Sequence, residues 1–253
     1  MKENCYAGAA APVIEAHRGD SAHAPENTIV AFRQAIDLGA GWIELDIHQC
    51  AGGDFVVMHD TTVDRTSDGE GAIADLTLAQ LRSLDIGAWR GAQFAGERIP
   101  TLRETLELVQ RAGVHLNIEI KELSQGETSA RQLAALLDEY PSQDGLQHVV
   151  SSFNLEALLD LDRIGAEVPL AYLGGKEGFE ILQSAMQHGL PWVHLQYEGV
   201  SRDLVLRAHA AGIRVMVWTM DRGDLYAYFA RAGVDKICTN DPGRMLRIQQ
   251  AGK

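Results

Sequence analysis

Cysteine is scarce in this chain, and long apolar runs are missing from it. The 253 residues contain only Cys5, Cys50 and Cys238, with no CxxC pair. An odd number of scattered cysteines argues against a disulfide framework and for a reducing compartment. No run approaches the roughly 20 apolar residues of a membrane span, and the N-terminus has no convincing signal peptide. These absences predict a cytoplasmic protein without stable membrane association.

Basic residues are also in the minority. The chain carries 22 Lys and Arg against 35 Asp and Glu, for a net charge of -13. That charge excludes a broad nucleic-acid-binding surface, so an anionic substrate could bind only where cations are concentrated locally. Three signature motifs are absent as well: a GxSxG elbow, a GxxxxGK[ST] loop, and a GxGxxG loop after the first strand.

Short apolar runs alternate with longer amphipathic segments along the chain. The eight predicted strands are 13–17, 42–48, 115–120, 147–152, 168–173, 191–196, 213–219 and 234–239. Several follow a glycine that ends a helical pattern, which is typical of helix–strand junctions in α/β proteins. Eight such units in about 250 residues predict one domain, 1–253, folded as a (β/α)8 TIM barrel. A doubly wound open sheet is the alternative.

One interval breaks this rhythm, because residues 49–114 separate the second and third predicted strands. The interval begins with an extra strand-like run at 54–58, and Thr77–Gln80 predicts a capping box for a short helix through Leu84. We expect residues 60–99 to form a small insertion on a loop at the C-terminal rim of the barrel. It could act as a lid, as a surface excursion with its own core, or as both. The expected core residues are Leu81, Leu84, Ile86 and Trp89.

His17 ends the first predicted strand, and Arg18 follows it. This pair combines a proton carrier with a fixed cation, the two groups needed to hold and cleave a phosphate ester. His59 follows the apolar run 55–58 and offers a second imidazole. Two histidines can divide acid and base roles near neutral pH, although either alone would more often be structural.

Carboxylates cluster on the next two strands of the predicted barrel. Glu44 and Asp46 lie two apart on one strand, and Glu119 and Lys121 lie two apart on the following one, so each pair shares a face. Three carboxylates predict a site for a hard divalent cation, Mg2+ or Ca2+, rather than zinc. Lys121 would add a charge for a phosphate oxygen. The alternative for these four residues is a set of structural ion pairs.

Other polar and aromatic residues at strand ends have more ordinary roles. Trp218 ends the seventh predicted strand, where it lines a pocket or fills the core with equal weight. Asn240–Pro242 is expected to cap the last helix, and Asn27 or Thr28 the first. For His48 we favour a polar loop role over a ligand role.

Taken together, these motifs resemble those of the glycerophosphodiester phosphodiesterases. Each motif is weak alone, but the ordered set is specific and spans almost the whole chain. The family has a (β/α)8 barrel with a small insertion after the second unit, which agrees with the broken rhythm. Asn240 is a departure, because it stands near the family's usual Asp. The matching segments are His17–Gly19, Pro25–Thr28, Ala31–Phe32, Glu44–Asp46, His59–Asp60, Arg65–Thr66, Asn117–Lys121, Ser152–Asn154, Trp218–Thr219, and Gly233–Asp235 with Thr239.

The resemblance implies metal-dependent hydrolysis of a glycerophosphodiester to sn-glycerol 3-phosphate and an alcohol. It also implies one divalent cation, Mg2+ or Ca2+, and a small-molecule substrate, with no nucleic acid. The substrate's own 2-hydroxyl is our hypothesis for the nucleophile, through a cyclic phosphate. A homodimer is the candidate assembly. The implied roles are acid and base for His17 and His59, metal ligands for Glu44, Asp46 and Glu119, phosphate binding for Arg18 and Lys121, and packing on the glycerol or alcohol for Trp218.

Two other functions stay open on the same barrel. The first is a phosphodiesterase of the lysophospholipase D or sphingomyelinase D type, against which the acidic net charge and the lack of a basic or aromatic membrane-docking segment argue. The second is a non-catalytic phosphate- or metal-binding barrel, which the intact histidines and carboxylates disfavour.

Overall fold

The computed structural model describes residues 11–141 and 148–252. These residues form nine strands and nine α-helices. The strands are β1 (Val13–His17), β2 (Trp42–Gln49), β3 (Phe55–Val57), β4 (His115–Glu122), β5 (Val149–Ser152), β6 (Leu170–Gly174), β7 (Trp192–Gln196), β8 (Arg214–Trp218) and β9 (Lys236–Thr239). The helices are α1 (Ile29–Asp37), α2 (Leu78–Ser83), α3 (Leu102–Ala112), α4 (Glu127–Asp138), α5 (Leu155–Arg163), α6 (Gly178–His188), α7 (Arg202–Ala210), α8 (Tyr226–Ala232) and α9 (Pro242–Ala251).

Eight parallel strands close into a barrel, which confirms the predicted (β/α)8 fold. The order runs β1-β9-β8-β7-β6-β5-β4-β2, and β2 pairs in turn with β1. This last pairing leaves no free edge in the barrel, so the open-sheet alternative is wrong. The extra run at 54–58 forms β3, which pairs antiparallel with the end of β2.

The eight predicted barrel strands lie close to their expected positions. β6 begins at Leu170 instead of 168, since Pro169 has no N–H to donate to a strand neighbour. β9 begins at Lys236 instead of 234. Residue 147 of the predicted fifth strand lies outside the described residues, and β5 begins at Val149. Among the described helices, none is long and apolar enough to cross a membrane.

Buried side chains pack in two places, between the strands and the outer helices and inside the barrel. The larger apolar core lies between the strands and the outer helices. Inside the barrel, Trp42 and Trp192 are buried with the ion pair of Lys236 and Glu15, whose charged atoms lie 2.7 Å apart. The Lys236 ammonium also lies 3.7 Å from the centre of the Trp42 ring, a favourable cation–π contact. These side chains fill the barrel near the start of the strands, and a cavity lies toward its C-terminal mouth.

The segment between β3 and α3 has a small apolar cluster of its own. Leu81 and Ile86 are buried there and Leu84 is partly buried, as predicted. Trp89 was expected in this cluster but is 42% exposed, and its indole N–H donates to the Ile86 carbonyl. The predicted capping box at Thr77 is present at the start of α2.

Candidate active site

The turn from β1 to α1 places His17 and Arg18 at the mouth of the barrel. Arg18 and Asn27 are the two non-glycine residues in the described ranges with positive φ, 56° and 58°. Gly19, with φ of 81°, packs so closely on α1 that a Cβ would lie 2.6 Å from the Ala31 carbonyl carbon. Only glycine fits this position, and the close approach fixes where the Arg18 side chain emerges.

Of the two residues predicted as possible N-caps of α1, only one caps the helix. Thr28 is the N-cap, since its side chain accepts from the Ala31 N–H. Asn27, the other candidate, instead donates its side-chain amide to Asp46 Oδ2 at 2.8 Å. Asn27 is therefore a site residue that sequence reasoning missed. Its left-handed backbone, which asparagine tolerates better than most residues, turns the amide inward.

Strand register brings the predicted carboxylates together. His17 lies opposite Glu44 in the β1–β2 pairing, and Asp46 lies opposite Glu119 in the β2–β4 pairing. The three carboxylates are buried, and each offers an oxygen within 4.8 Å of the others. Such a cluster concentrates negative charge where little water can screen it.

Burial and mutual repulsion shape the pKa values of these groups. Burial, with the charges of Asp46 and Glu119, holds the pKa of Glu44 well above its ordinary value. Burial, with the charge of Asp46, raises the pKa of Glu119 to about 7. Burial would also raise that of Asp46, but Arg18 and Lys121 outweigh it and lower the pKa to about 2.

The cluster fits a divalent cation. Arg18 Nε lies 3.1 Å from Asp46 Oδ2, and Lys121 Nζ lies 2.9 Å from Asp46 Oδ1 and contacts Glu119 as well. These two cations leave Glu44 Oε1 buried with no hydrogen-bond partner among the described residues. Three carboxylates facing two cations, with one oxygen unpaired, form an oxygen-only donor set of the kind that Mg2+ or Ca2+ prefers.

Hydrogen bonding selects one tautomer of His17. Its Nδ1 lies 2.7 Å from Asn240 Oδ1, so Nδ1 carries the proton and donates it to that oxygen. Nε2 is then free to accept a proton from a bound molecule. Burial, with the adjacent Arg18 charge, lowers the pKa of His17 to about 4, which keeps the imidazole neutral near pH 7.

The predicted cap of the last helix is present, but Asn240 and Asp241 have different partners. Asp241 is the N-cap, since its side chain accepts from the Arg244 N–H, and Pro242 is the first helical residue. Asn240 instead reaches His17. A sequence pattern for capping gave no signal for this second contact, because it joins residues 223 positions apart.

His59 is supported by a chain of charged groups. Its Nδ1 lies 2.6 Å from Asp60 Oδ1, and Asp60 Oδ2 accepts from Arg65 Nε at 2.6 Å. Arg65 also donates to Glu26, which accepts from Arg18 Nη1 at 2.9 Å. Asp60, Arg65 and Glu26 therefore connect His59 to Arg18, the residue that follows His17. Sequence reasoning assigned no role to Glu26 or Arg65.

His48, for which a polar loop role was favoured over a ligand role, lies buried near the end of β2. Its Nε2 lies 3.1 Å from the backbone carbonyl of His59 and donates to it. This polar contact from the strand supports the loop backbone at His59.

An aromatic wall closes one side of the site. Trp218 and Phe153 meet edge to face with ring centres 5.6 Å apart, and Phe153 is 49% exposed. The Trp218 indole N–H donates to the His194 carbonyl, so the ring lines the cavity and also anchors to the barrel. Phe153 is a lining residue that sequence reasoning did not single out.

The predicted site residues converge on one cavity of about 190 Å³ at the mouth of the barrel. Asp46 lies behind its wall, fully buried between Arg18 and Lys121. The seven others line it: His17, Arg18, Glu44, His59, Glu119, Lys121 and Trp218.

Known proteins resemble this chain in both sequence and fold. The Glycerophosphoryl diester phosphodiesterase family matches residues 17–244. A glycerophosphodiester phosphodiesterase of Caldanaerobacter subterraneus subsp. tengcongensis is 37% identical, over 95% of this chain and 98% of its own length. Glycerophosphodiester phosphodiesterase 1 of Bos taurus is 33% identical, over 85% of this chain and 73% of its own.

Solved structures agree with this likeness. A phosphodiesterase of Oleispira antarctica, determined in complex with the product sn-glycerol-3-phosphate, superposes with a TM-score of 0.88 at 28% identity. The match covers 94% of this chain and 97% of that one. A glycerophosphodiester phosphodiesterase of Agrobacterium tumefaciens superposes with a TM-score of 0.80 at 27% identity, over 93% and 99% of the two chains.

Proposed function

The chain belongs to the glycerophosphoryl diester phosphodiesterase family and is a phosphoric diester hydrolase, and we propose that it converts glycerophosphodiesters to sn-glycerol 3-phosphate and an alcohol. One observation carries the proposal: three buried carboxylates, two cations and two histidines meet at a single cavity. The product bound to the Oleispira antarctica relative supports the choice of product.

We assign Glu44, Asp46 and Glu119 as ligands of one divalent cation, Mg2+ or Ca2+. The unpaired Glu44 Oε1 supports this assignment, as do the carboxylate oxygens within 4.8 Å of each other. When bound, the cation would offset the charge of the phosphodiester and lower the pKa of a nearby hydroxyl.

Arg18 and Lys121 are the proposed phosphate-binding residues. Both line the cavity, and both lie against Asp46, which holds them in place before substrate arrives. Arg18 offers a planar fork to two phosphoryl oxygens, whereas Lys121 offers a point charge. We propose that Trp218, with Phe153, packs on the glycerol or alcohol portion.

The hydrogen bonds support a division of the proton transfers between the two histidines. His17, with Nδ1–H held by Asn240, accepts a proton at Nε2 from the nucleophile, and His59, supported by Asp60, protonates the leaving alcohol. The substrate's 2-hydroxyl is the proposed nucleophile. Its attack on phosphorus expels the alcohol and forms a cyclic phosphate, which water then opens with the two histidines in exchanged roles. A neighbouring hydroxyl already in place makes this route fast.

The predicted insertion, residues 60–99, contacts the site, and these contacts suggest its role. It supplies Arg65, which joins Asp60 to Glu26, and Arg90, which donates to the Ala22 carbonyl in the loop after β1. We propose that it supports the histidine side of the site within a single domain, 1–253. The cytoplasmic location, the absence of stable membrane association and the candidate homodimer stay predictions.

Single-histidine variants test the proposed chemistry. In a 31P NMR assay over a panel of glycerophosphodiesters, His17→Ala and His59→Ala should each lower kcat by roughly 10²- to 10⁴-fold, the usual contribution of a general acid or base. EDTA should abolish turnover, and Mg2+ or Ca2+ should restore it. His23→Ala, at an exposed position in the loop after β1, is the matched control and should keep the wild-type rate.

Two outcomes would contradict the proposal. Wild-type rates in both histidine variants would rule out acid–base catalysis by these residues. Faster turnover of lysophosphatidylcholine than of glycerophosphocholine would favour the lysophospholipase D alternative.

A further inference from the structure

The side-chain amide of Asn240 lies between three polar groups. Its Oδ1 is 2.7 Å from His17 Nδ1 and 3.0 Å from Ser21 Oγ. Its Nδ2 donates to Asp221 Oδ2 at 2.7 Å. An amide has two orientations that exchange its oxygen and nitrogen, so one of these neighbours must decide which orientation is adopted.

The hydrogen-bonding chemistry of the three neighbours shows which of them determines the orientation of the Asn240 amide. An imidazole can donate or accept at Nδ1, according to its tautomer, and a hydroxyl can do either. A carboxylate only accepts. Asp221 therefore requires the amide nitrogen of Asn240 on its side, which leaves the amide oxygen for His17.

Asp221 is itself held firmly although it lies at the surface. Its Oδ1 accepts from Thr239 Oγ1 and from the Asn240 backbone N–H, both at 2.8 Å. The preceding residue, Met220, donates its N–H to the Cys238 carbonyl at 2.8 Å, which ties the loop after β8 to β9. The carboxylate is thus aimed at Asn240 by bonds that do not involve the catalytic candidates.

We propose that Asp221 is a positioning residue of the reaction: by orienting the Asn240 amide, it selects the His17 tautomer whose Nε2 lone pair faces the cavity. The inference rests on the proposed role of His17 as the base. With the amide reversed, Asn240 Nδ2 would donate to His17 Nδ1, the imidazole proton would sit on Nε2, and no lone pair would be left to accept a proton from the nucleophile.

An isosteric substitution tests this directly. Asp221→Asn can keep the acceptor for Thr239 and the Asn240 N–H, but it presents an NH2 group where the amide nitrogen of Asn240 now donates. The amide of Asn240 should reverse. We expect kcat to fall at least about 10-fold, up to the roughly 10²- to 10⁴-fold contribution of a general base, with KM changed less than about twofold.

A second variant should reverse the defect. In Asp221→Asn combined with Asn240→Asp, the carboxylate introduced at position 240 accepts from His17 and from the amide introduced at position 221, so hydrogen-bond polarity is restored at the same total charge. We expect most of the lost kcat to return. Asp224→Asn is the matched control, because Asp224 lies in the same loop and pairs with Arg222 instead.

The tautomer itself can be observed without turnover. Long-range 1H–15N spectra of histidine-labelled, metal-free protein, with His17 assigned by a His17→Gln variant, should show the proton on Nδ1 in the wild type and on Nε2 in Asp221→Asn. An Nδ1–H signal in Asp221→Asn, or no recovery in the double variant, overturns the inference. Wild-type protein inactive on every diester would instead refute the proposed function, while the spectra still test Asp221.

Discussion

Arg18 holds a left-handed backbone conformation, with φ of 56°, that costs a residue of its size roughly 1–2 kcal/mol. Its N–H donates to the Glu44 carbonyl at 3.0 Å, and its carbonyl accepts from the Asn27 N–H at 3.1 Å. These bonds over-determine the conformation, so the strain persists. The consequence is a guanidinium that meets both Asp46 and Glu26, one inside the barrel and one at its rim.

Glu44→Gln should separate metal binding from folding. The substitution removes one of three buried, mutually repelling carboxylates, and the glutamine oxygen can still accept from the Arg18 N–H. We therefore expect the free energy of unfolding of the metal-free protein to stay the same or rise. Wild-type protein should gain about 2.7 kcal/mol when Mg2+ or Ca2+ is present at 100 times its Kd, and the variant should gain little.

Thermal unfolding in EDTA and in added metal measures this difference. Glu122→Gln, at an exposed carboxylate on β4, is the matched control and should keep the metal-induced rise in Tm. A full rise in the Glu44→Gln protein would exclude Glu44 as a ligand. Marked destabilisation of that protein without metal would show that Glu44 is a structural ion-pair partner.

At the scale of elements, the β1–α1 unit depends on a close backbone approach. Gly19→Ala would push a methyl group to within 2.6 Å of the Ala31 carbonyl carbon, so the helix or the Arg18 turn must move. We expect more than about 2 kcal/mol of destabilisation and a raised KM, because Arg18 shifts. Gly39→Ala is the matched control: it has a similar positive φ of 91° but no described atom within 4 Å of the added Cβ.

The control should lose only about 1–2 kcal/mol, the usual cost of placing alanine in this backbone conformation, and keep its activity. Denaturant unfolding and steady-state kinetics on both variants give the comparison. Equal losses of stability in the two variants would mean that backbone conformation, and not the contact with Ala31, determines the requirement for glycine.

The strands and the first layer of the site could be predicted because both follow from local pattern. Apolar runs between glycines mark buried strands, and residues two apart on a strand share a face, which placed Glu44 beside Asp46. Partners in loops could not be predicted in this way. Asn27 reaches Asp46 only because its φ is positive, and Asn240 reaches His17 only because the barrel closes. Asp221 depends further on where the loop after β8 turns.

At the scale of the whole molecule, the two ends of the barrel differ in the state of their buried polar groups. Near the start of the strands, Lys236 and Glu15 form a satisfied ion pair, and His148 accepts the Leu116 N–H at Nδ1. At the mouth, Glu44 keeps an unpaired oxygen. The buried Glu15 carboxylate is therefore neutralised at the closed end, whereas an unpaired carboxylate oxygen lies at the end that binds ligands.

The closed end makes the fold sensitive to acid. Burial, with the nearby His115, lowers the pKa of His148 from 6.5 to about 4, and burial with Lys236 lowers that of His194 well below its ordinary value. Between pH 6.5 and 4 the unfolded chain binds a proton at position 148 that the folded protein does not. The free energy of unfolding should therefore fall with decreasing pH, by up to about 1.4 kcal/mol per pH unit for each such histidine.

His148→Asn isolates one of these contributions, because the asparagine oxygen can still accept from the Leu116 N–H but cannot bind the proton. We expect a shallower fall in the free energy of unfolding between about pH 6.5 and 4.5, measured by urea unfolding at several pH values. His188→Asn, at an exposed position at the end of α6, is the matched comparison. A slope in His148→Asn identical to that of the wild type would show that His148 is protonated in the folded protein as readily as in the unfolded chain.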